Sequence, residues 1–367
     1  MTNQLEYYLE KNFIKGKENI SIAKKILDAK QINVDDCYYL YKKADTGFLA
    51  LLATYVRHKK NKSKVFFIRN THLEPSNICV YNCKFCSFND KSGILKGWNH
   101  SYDTIMQKVA QTNKNIKEIH ITGACHPDAT LKSFIELIML VRNILPEVHI
   151  KAFSAAELFY VCNKEKIPYE IGIKTLIKAG INSIPGGGAE IFDEKIRKKI
   201  CPEKVSSAAW LKIHKTAHQC GLFSNATMLY GHIENFKHRI DHMLLLRNLQ
   251  TETSGFKAFI PLKYKKNNTL RIQETTLLDD MRNYAIARIF LDNFPHLKAY
   301  WPMLGEEQAQ LSLSFGVDDI DGTIDDTTKI YNTKTNSKNS LSTGELKHII
   351  SQAGFKPVQR DSDYRTI

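Results

Sequence analysis

Three closely spaced cysteines are the residues of this sequence best suited to bind a metal. Cys79, Cys83 and Cys86 lie in the segment NICVYNCKFCSF at the spacing C-x3-C-x2-C. Zinc sites and ferredoxin clusters generally use four protein ligands, and the next cysteine along the chain is Cys125. Three thiolates would leave one iron of a [4Fe–4S] cluster open to a small molecule. The spacing therefore predicts such a cluster, with three buried or zinc-bound cysteines as the alternative.

The motif also resembles that of the radical S-adenosylmethionine (SAM) superfamily. In those enzymes SAM chelates the open iron, and one electron then cleaves SAM to methionine and a 5′-deoxyadenosyl radical. The motif follows the first predicted strand, and the residue before the third cysteine is the aromatic Phe85, where such enzymes commonly line the adenine. The resemblance implies that Cys79, Cys83 and Cys86 hold the cluster and that SAM binds beside Phe85.

Short apolar runs alternate with helical stretches along most of the chain, and these elements must position the motifs. The runs are rich in β-branched and aromatic residues, and most end in Gly, Pro or polar residues. The predicted strands are 65–73, 116–124, 148–157, 181–188, 223–231, 255–264, 296–304 and 311–319. Eight strands, most followed by a helix, predict an α/β fold of the (β/α)8 TIM-barrel type, with a doubly wound open sheet as the alternative. In such a barrel the chemistry lies on the loops after the strands, where each motif occurs.

The chain divides into three regions by its sequence pattern. Residues 1–62 read as a helical N-terminal extension, since apolar residues recur there at helical spacing. The barrel is predicted for 63–325. We expect 326–367 to form a polar loop, NTKTNSKNS at 332–340, and then a C-terminal helix and tail that pack on the barrel.

Several ordered segments resemble the aminofutalosine synthases, radical SAM enzymes of the futalosine route to menaquinone. They are IPGGGAEIFDEKIRKKICPEK (184–204), NATMLYGHIEN (225–235), GFKAFIPL (255–262), LDNFPHLKAYWPMLG (291–305), AQLSLSFGVDDIDGT (309–323) and the terminal RDSDY. The sequence departs from that family at GACHP (123–127), usually close to GGLHP, so that Cys125 replaces a leucine. The stretch 324–340 also departs from the family, and its role is left open.

A sister family, the dehypoxanthine futalosine cyclases, is the alternative. The cyclases favour Trp after FIP and Ser-Trp on the seventh strand. This sequence has Leu262 and the run Lys298-Ala299-Tyr300-Trp301, and it has Leu229-Tyr230 in ATMLYGH. These choices favour the synthase family.

The resemblance implies an enzyme, a radical SAM transferase. The deoxyadenosyl radical would add to the vinyl carbon of an enolpyruvyl ether of 3-hydroxybenzoate. Rearrangement, loss of the former enolpyruvyl carboxylate and re-oxidation would give aminofutalosine and methionine, so SAM is consumed as a co-substrate. An anionic aromatic small molecule is therefore the expected substrate, and a reduced flavodoxin or ferredoxin is the expected electron donor.

The resemblance also suggests which residues bind SAM. Gly186, Gly187 and Gly188 follow the fourth predicted strand and suit either close backbone approach to a ligand or a tight turn. Glu157, placed at the end of the third predicted strand, and Glu190, after the glycines, could accept from SAM's amino group or ribose hydroxyls. Ordinary ion pairing is the alternative for both carboxylates.

Polar residues on the strand-end loops are candidates for catalysis. His126, His232 and Glu234 lie on such loops, where packing explains a polar residue poorly. His232 could donate to a substrate carboxylate or pass a proton, or it could make a structural hydrogen bond. Arg69 and Lys298, on predicted strands, are candidates to meet substrate carboxylates.

The composition excludes several other classes of protein. The 367 residues include 52 Lys and Arg against 38 Asp and Glu, a net charge of +14. The lysines are scattered, and no RNA-binding or helix-turn-helix motif accompanies them, so we expect attraction to anionic small molecules and no nucleic-acid partner. The absence of a long apolar stretch or secretory signal predicts a cytoplasmic protein without a membrane partner.

Overall fold

A computed structural model describes residues 4–11, 13–93, 95–267, 269–326, 338 and 340–367. The helices are α1 (Gln4–Glu10), α2 (Lys17–Leu27), α3 (Val34–Lys42), α4 (Thr46–Asn61), α5 (Tyr102–Gln111), α6 (Leu131–Ile144), α7 (Ala155–Lys164), α8 (Tyr169–Ala179), α9 (Glu194–Ile200), α10 (Ser207–Gln219), α11 (Phe236–Thr253), α12 (Leu277–Phe290), α13 (Trp301–Leu304), α14 (Glu306–Ser312) and α15 (Thr343–Gln352). The strands are β1 (Lys64–Ile68), β2 (Asn70–Leu73), β3 (Glu118–Ile121), β4 (His149–Ala152), β5 (Ser183–Ile184), β6 (Phe223–Tyr230), β7 (Phe256–Lys263), β8 (His296–Leu297), β9 (Asp319–Gly322) and β10 (Lys356–Gln359).

The strands form a parallel barrel. Within the described residues, β2 to β8 make a seven-stranded sheet in chain order. β9 closes the remaining gap, because Lys298, next to β8, is bridged to Asp319, and β9 also pairs with β1, which runs on into β2. The predicted α/β barrel with a helical start is therefore confirmed.

The alternation of apolar and polar residues along the strands indicates which face of the sheet points into the barrel. In β3, Ile119 and Ile121 are buried, and they alternate with Glu118 and His120. Successive side chains of a strand point to opposite faces of the sheet, so the isoleucines face the surrounding helices while the polar pair faces inward. Burial of each isoleucine contributes about 1.5–3 kcal/mol to folding.

The N-terminal helices pack against the outer helices of the barrel. Tyr41 of α3 stacks on Phe236 of α11, with ring centroids 4.7 Å apart. The Tyr41 hydroxyl donates to Asn283 Oδ1 of α12 at 2.8 Å. Arg282 of α12 donates to the carbonyls of Leu40 and Ala44 at 3.0 and 2.7 Å. These bonds link the N-terminal helices to one side of the barrel.

The C-terminal segment closes the end of the barrel opposite the strand-end loops. β10 pairs with β1 in parallel, a strand that the sequence pattern did not predict. Arg360 then binds Asp319 at 2.6 Å, and Ser362 Oγ donates to Glu118 Oε2 at 2.9 Å. Tyr364 stacks on His296 with ring centroids 3.6 Å apart. The terminal RDSDY motif therefore seals the interior.

Most predicted strands are shorter in the structure, and the fourth covers only Ser183–Ile184. The first is split in two around Arg69, and the third ends at Ala152, so Glu157 lies on helix α7. The seventh covers only His296–Leu297 and is followed by helix α13. The eighth was wrong for most of its length, because LSLSF forms the end of α14 and a short 3-10 turn, Leu313–Phe315. A brief alternation of Leu and Ser fits either element, and the Ser312 hydroxyl donates to Ala309 O at 2.6 Å inside the helix.

The predicted domain limits, 1–62, 63–325 and 326–367, stay a prediction. Most of the polar loop predicted at 332–340 lies outside the described residues, which resume at 338 and 340. In the part of the chain that the structure describes, no helix is both long and apolar enough to cross a membrane.

Candidate active site

The cysteine motif lies in the long loop between β2 and α5, at the end of the barrel where the strands end. Hydrogen bonds from asparagine side chains, rather than helices or strands, hold the conformation of this loop. Asn77 donates to the carbonyl of Phe88 at 3.1 Å, and its own oxygen accepts from the Trp98 backbone at 2.7 Å. Asn89 donates to the Tyr81 carbonyl at 2.6 Å. These hydrogen bonds join separate parts of the loop and therefore hold its conformation.

The three cysteines of the motif fit a [4Fe–4S] cluster better than a zinc ion. Cys83 is buried, Cys79 and Cys86 are half-buried, and the three sulfurs belong to one electrostatic group. Among the described residues, no three Cys, His, Asp or Glu side chains converge on a point where one ion could bind. A zinc ion needs such convergence, whereas a cluster needs each thiolate on a separate iron.

Cys125 lies against the first cysteine of the motif. Its thiol donates to the sulfur of Cys79, and this bond lowers the pKa of Cys79 to about 6 against the opposing effect of burial. The Cys125 carbonyl also accepts from the Val80 backbone at 2.9 Å. The extra thiol at the position usually held by leucine is thus packed within the cysteine loop.

A half-buried lysine lies beside the motif, and the sequence interpretation did not single it out. Lys204 Nζ is 2.7 Å from Glu190 Oε1 and 5.6 Å from the ring centroid of Phe85. Burial alone would lower its pKa, but Glu190 and the sulfurs of Cys83 and Cys201 hold the pKa of Lys204 well above its usual value. A permanent cation therefore faces the cysteines, next to two of the residues predicted to bind SAM.

Glu157 begins helix α7 and does not end a strand. The Ser154 backbone N–H and hydroxyl both donate to Glu157 Oε2 at 2.7 Å, and the Ser154 hydroxyl accepts from the Glu157 backbone. This capping box fixes the carboxyl group at the helix N-terminus. Burial raises the pKa of Glu157 to about 7, although the bonds from Ser154 oppose the rise. Cys79 and Lys204 both act on this carboxyl group, which places it near the cysteine loop.

The glycine run at 186–188 forms a tight turn and also lines the interior of the barrel. A Cβ on Gly186 would lie 2.8 Å from both the Asn225 carbonyl oxygen and Thr227 Cγ2, so this position requires close approach to β6. Gly188 has φ +93°, a left-handed conformation that favours glycine. Gly187 is less constrained, since its Cβ would meet only Ser154 Cβ at 3.3 Å. The tight turn thus explains Gly186 and Gly188, while the ligand role suits Gly187 best.

Alanine substitutions should separate these two uses of glycine. We expect Gly186→Ala to lower the free energy of unfolding by about 1–3 kcal/mol, because the added methyl group overpacks the turn against β6. Gly187→Ala should cost less stability and should weaken SAM or substrate binding more. Thermal unfolding and the KM for both substrates, measured on the two variants together, check this. Equal stability of Gly186→Ala and the unsubstituted protein would contradict the close approach.

His126 lies where the sequence placed it, on the loop after β3. Its Nδ1 accepts from the Asp128 backbone at 3.1 Å. Together with Gly123, Phe153 and Glu157 it lines an open cleft beside the cysteine loop. The ring therefore lines the same cleft as Glu157, and its catalytic role stays a prediction.

His232 and Glu234 belong to a network of ion pairs and hydrogen bonds on the loop after β6, and their catalytic role stays a prediction. Glu234 is fully buried and binds Arg239 at 2.7 Å. Its two oxygens also accept from the backbones of Gly231 and His232 at 2.6 and 2.8 Å. His232 Nε2 donates to the Leu229 carbonyl at 3.1 Å, and Nδ1 lies 3.2 Å from Glu234. The bonds of Glu234 hold the loop after β6, whereas His232 Nδ1 is buried and makes no hydrogen bond within the described residues.

A polar chamber lies inside the barrel below the cysteine loop. It offers about 70 Å3 of space to water-sized molecules. Ser154, Gly186 and Gly187 line its upper part. Leu262 and Tyr300, two residues that favoured the synthase family, also line it, whereas Trp301 is buried with its ring N–H donating to the Gly322 carbonyl.

The remaining chamber residues were missed by the sequence interpretation, apart from Lys298. Lys298 binds Asp321 at 2.7 Å, and Lys151 binds Glu118 at 2.5 Å. A barrel interior is normally filled by branched apolar side chains. Polar residues at every second position of EIHI (118–121) and HIKA (149–152) were the available signal, because strands of a parallel barrel are otherwise apolar on both faces.

Comparison with known proteins identifies the kind of enzyme. The radical SAM superfamily matches residues 73–246, and the CofH/MqnC C-terminal region matches residues 253–367. Aminodeoxyfutalosine synthase of Thermus thermophilus is 40% identical over 361 residues, which cover 96% of this chain and 97% of the relative. The chain belongs to the radical SAM superfamily and is an enzyme of the aminodeoxyfutalosine synthase type. Its cofactors are accordingly a [4Fe–4S] cluster and SAM.

More distant relatives share the fold but differ in name. The 5-amino-6-(D-ribitylamino)uracil–L-tyrosine 4-hydroxyphenyl transferase of Archaeoglobus fulgidus is 35% identical over 86% of this chain and 92% of the relative. The crystal structure of methylornithine synthase (PylB) superposes with a TM-score of 0.72 at 14% identity, covering 92% of this chain and 97% of that one. The latter likeness supports the barrel fold alone.

Proposed function

We propose that this enzyme transfers the 5′-deoxyadenosyl group of SAM to the enolpyruvyl ether of 3-hydroxybenzoate. Rearrangement and decarboxylation then give aminofutalosine and methionine. The observation that carries the proposal is the 40% identity to an aminodeoxyfutalosine synthase along almost the whole of both chains. The chamber walls agree with it, since Leu262 and Tyr300 line the chamber.

The chain's own residues would bind the cofactors around the cysteine loop. Cys79, Cys83 and Cys86 would each hold one iron of the cluster, which when bound supplies the electron that cleaves SAM. Lys204 offers a cation for the carboxylate of SAM, and its bond to Glu190 keeps that cation in place. Glu157 offers a carboxyl oxygen, Oε1, because the Ser154 bonds use the other one.

The remaining site residues would orient the adenosyl group and exclude water. Phe85, beside Lys204, offers an aromatic face to the adenine. Gly187 provides a wall without a side chain where SAM and substrate must approach each other. His126, at the edge of the open cleft, is the residue best placed to donate or accept a proton near SAM. Glu234 would hold the loop after β6, and the catalytic role of both His232 and Glu234 stays a prediction.

The partners of the reaction belong to the same proposal. A reduced flavodoxin or ferredoxin would supply the electron, and the substrate would be an anionic aromatic small molecule. The net charge of +14 is favourable for attracting both an acidic electron carrier and an anionic substrate.

A substrate comparison tests the proposal. The anaerobically reconstituted enzyme, given reductant and SAM, should form methionine rapidly with the enolpyruvyl ether and only slowly with dehypoxanthine futalosine. The sister cyclase would show the opposite preference. Turnover only with a tyrosine-derived acceptor, as the name of the archaeal relative suggests for that protein, would also contradict the proposal.

A further inference from the structure

We propose that His120, Lys151 and Lys298 form a carboxylate-binding subsite at the floor of the chamber and that it holds the ring carboxylate of the substrate. The inference rests on the proposed function and adds to it the residues that fix the orientation of the substrate. His120 and Lys151 were not among the candidates drawn from the sequence. Lys298 was a candidate to bind a substrate carboxylate, but the sequence did not show which residues would act with it.

The two lysines have hydrogen-bonding capacity to spare. Each ammonium group has three N–H donors. Within the described residues, Lys151 makes one such bond, to Glu118, and Lys298 makes one, to Asp321. Both lysines line the chamber, and both also line the small cavity beneath it.

The charged side chains at the floor of the chamber balance one another without the substrate. The carboxylates of Glu118 and Asp321 are paired with the two lysines, and Asp319 is paired with Arg360 of the C-terminal segment. Three cations thus match three carboxylates. A ligand carboxylate can accept the spare lysine N–H groups without breaking any of these pairs.

His120 completes the subsite from the neighbouring strand. It is the direct register partner of Lys151, so the two side chains lie side by side on the inner face of the sheet. The His120 ring packs edge-on to His72, with centroids 4.8 Å apart, and it lines the chamber. Its Nε2 is buried and has no hydrogen-bond partner among the described residues. An unsatisfied buried polar atom is costly, and a ligand oxygen would satisfy it.

The position of the floor indicates that the ring carboxylate of the substrate, and not the enolpyruvyl carboxylate, binds there. Ser154 lines the chamber and bonds to Glu157, which lies near the cysteine loop, so the vinyl carbon that receives the adenosyl group would point to this end of the chamber. The enolpyruvyl carboxylate is attached beside that carbon, whereas the ring carboxylate lies at the far end of the molecule. The far end therefore meets His120 and the lysines.

Removing either side of this contact tests the proposal. The cluster-loaded wild-type enzyme is assayed with the enolpyruvyl ether of 3-hydroxybenzoate and with that of phenol, which lacks the ring carboxylate. We expect kcat/KM to be at least about tenfold higher for the former, as a charge-assisted hydrogen bond implies. His120→Phe should remove at least about tenfold from the carboxylate substrate and change the phenol ether less than about twofold.

Two further variants separate the effect of the N–H donor at position 120 from an effect on folding. His120→Gln keeps an N–H donor and should recover part of the loss. His149→Phe is the matched control, because His149 bonds to Ser183 at 2.7 Å and lines the cavity beneath the floor. It should leave the preference between the two ethers unchanged. Equal loss of both substrates in His120→Phe, or no preference in the wild-type enzyme, would overturn the subsite.

A binding measurement separates this proposal from the proposed function. If the wild-type enzyme does not turn over the enolpyruvyl ether, the proposed function fails. Calorimetric titration of the cluster-loaded enzyme with 3-hydroxybenzoate then tests the subsite without turnover. Binding that is at least about tenfold weaker in His120→Phe supports the subsite, and unchanged or absent binding overturns it.

Discussion

Replacing Cys83 by alanine is expected to abolish SAM cleavage and to remove most of the iron from the reconstituted protein. Cys83 is the buried member of the motif and lies near Cys86 and Lys204. In the proposed cluster each thiolate would hold one iron, so the loss of Cys83 would leave one iron without its protein ligand. Iron and sulfide analysis after anaerobic reconstitution, together with quantification of methionine, measures both effects.

The control for this substitution follows from the structure. Cys220→Ala should keep iron content and SAM cleavage, since Cys220 caps helix α10 away from the motif. Cys201 is a poorer control than its sequence position suggests, because its sulfur acts on both Cys83 and Lys204. A Cys83→Ala protein with normal iron and normal SAM cleavage would refute the cluster assignment.

Replacing Lys204 by methionine is expected to raise the KM for SAM about 10- to 100-fold, the effect of losing a charge-assisted hydrogen bond of about 1.5–3 kcal/mol. It should also destabilise the fold by about 3–5 kcal/mol, because the Glu190 carboxylate would stay buried without its partner. Steady-state kinetics with SAM and chemical unfolding measure the two effects separately.

A double variant distinguishes SAM binding from stability. Adding Glu190→Gln to Lys204→Met removes the unpaired charge, so stability should largely return while the KM for SAM stays high. Lys174→Met is the surface control, since Lys174 pairs with Glu170 on the exposed face of α8. Recovery of normal SAM affinity in the double variant would contradict a role for Lys204 in binding SAM.

The overall fold and the membership of the radical SAM superfamily could be predicted because their signals are local. Alternating strands and helices follow from residue patterns a few positions long, and the C-x3-C-x2-C spacing lies within one loop. The limits of strands failed where local patterns fit two elements, as in LSLSF, and β10 was missed because its partner β1 is distant in the chain. Parallel pairing of that kind leaves no short-range signal.

The surroundings of the site beyond the cysteines depend on contacts between distant segments, which a sequence pattern does not show. Lys204 meets the cysteine loop only when the segment after α9 folds back over it, and the row of His120 and Lys151 appears only when β3 and β4 are in register. His232 and Glu234 were predicted to be catalytic because they follow a strand. Their partner Arg239, on the next helix, uses the charge of Glu234 for a structural bond.

The fate of the adenosyl carbon tests the central claim most directly. The reconstituted enzyme is incubated with reductant, the enolpyruvyl ether of 3-hydroxybenzoate and SAM labelled with carbon-13 at C5′. The account predicts that the label appears bonded to the former vinyl carbon in aminofutalosine, with methionine formed in equal amount and little free 5′-deoxyadenosine. Label found only in free 5′-deoxyadenosine, formed one-for-one with methionine, would contradict it.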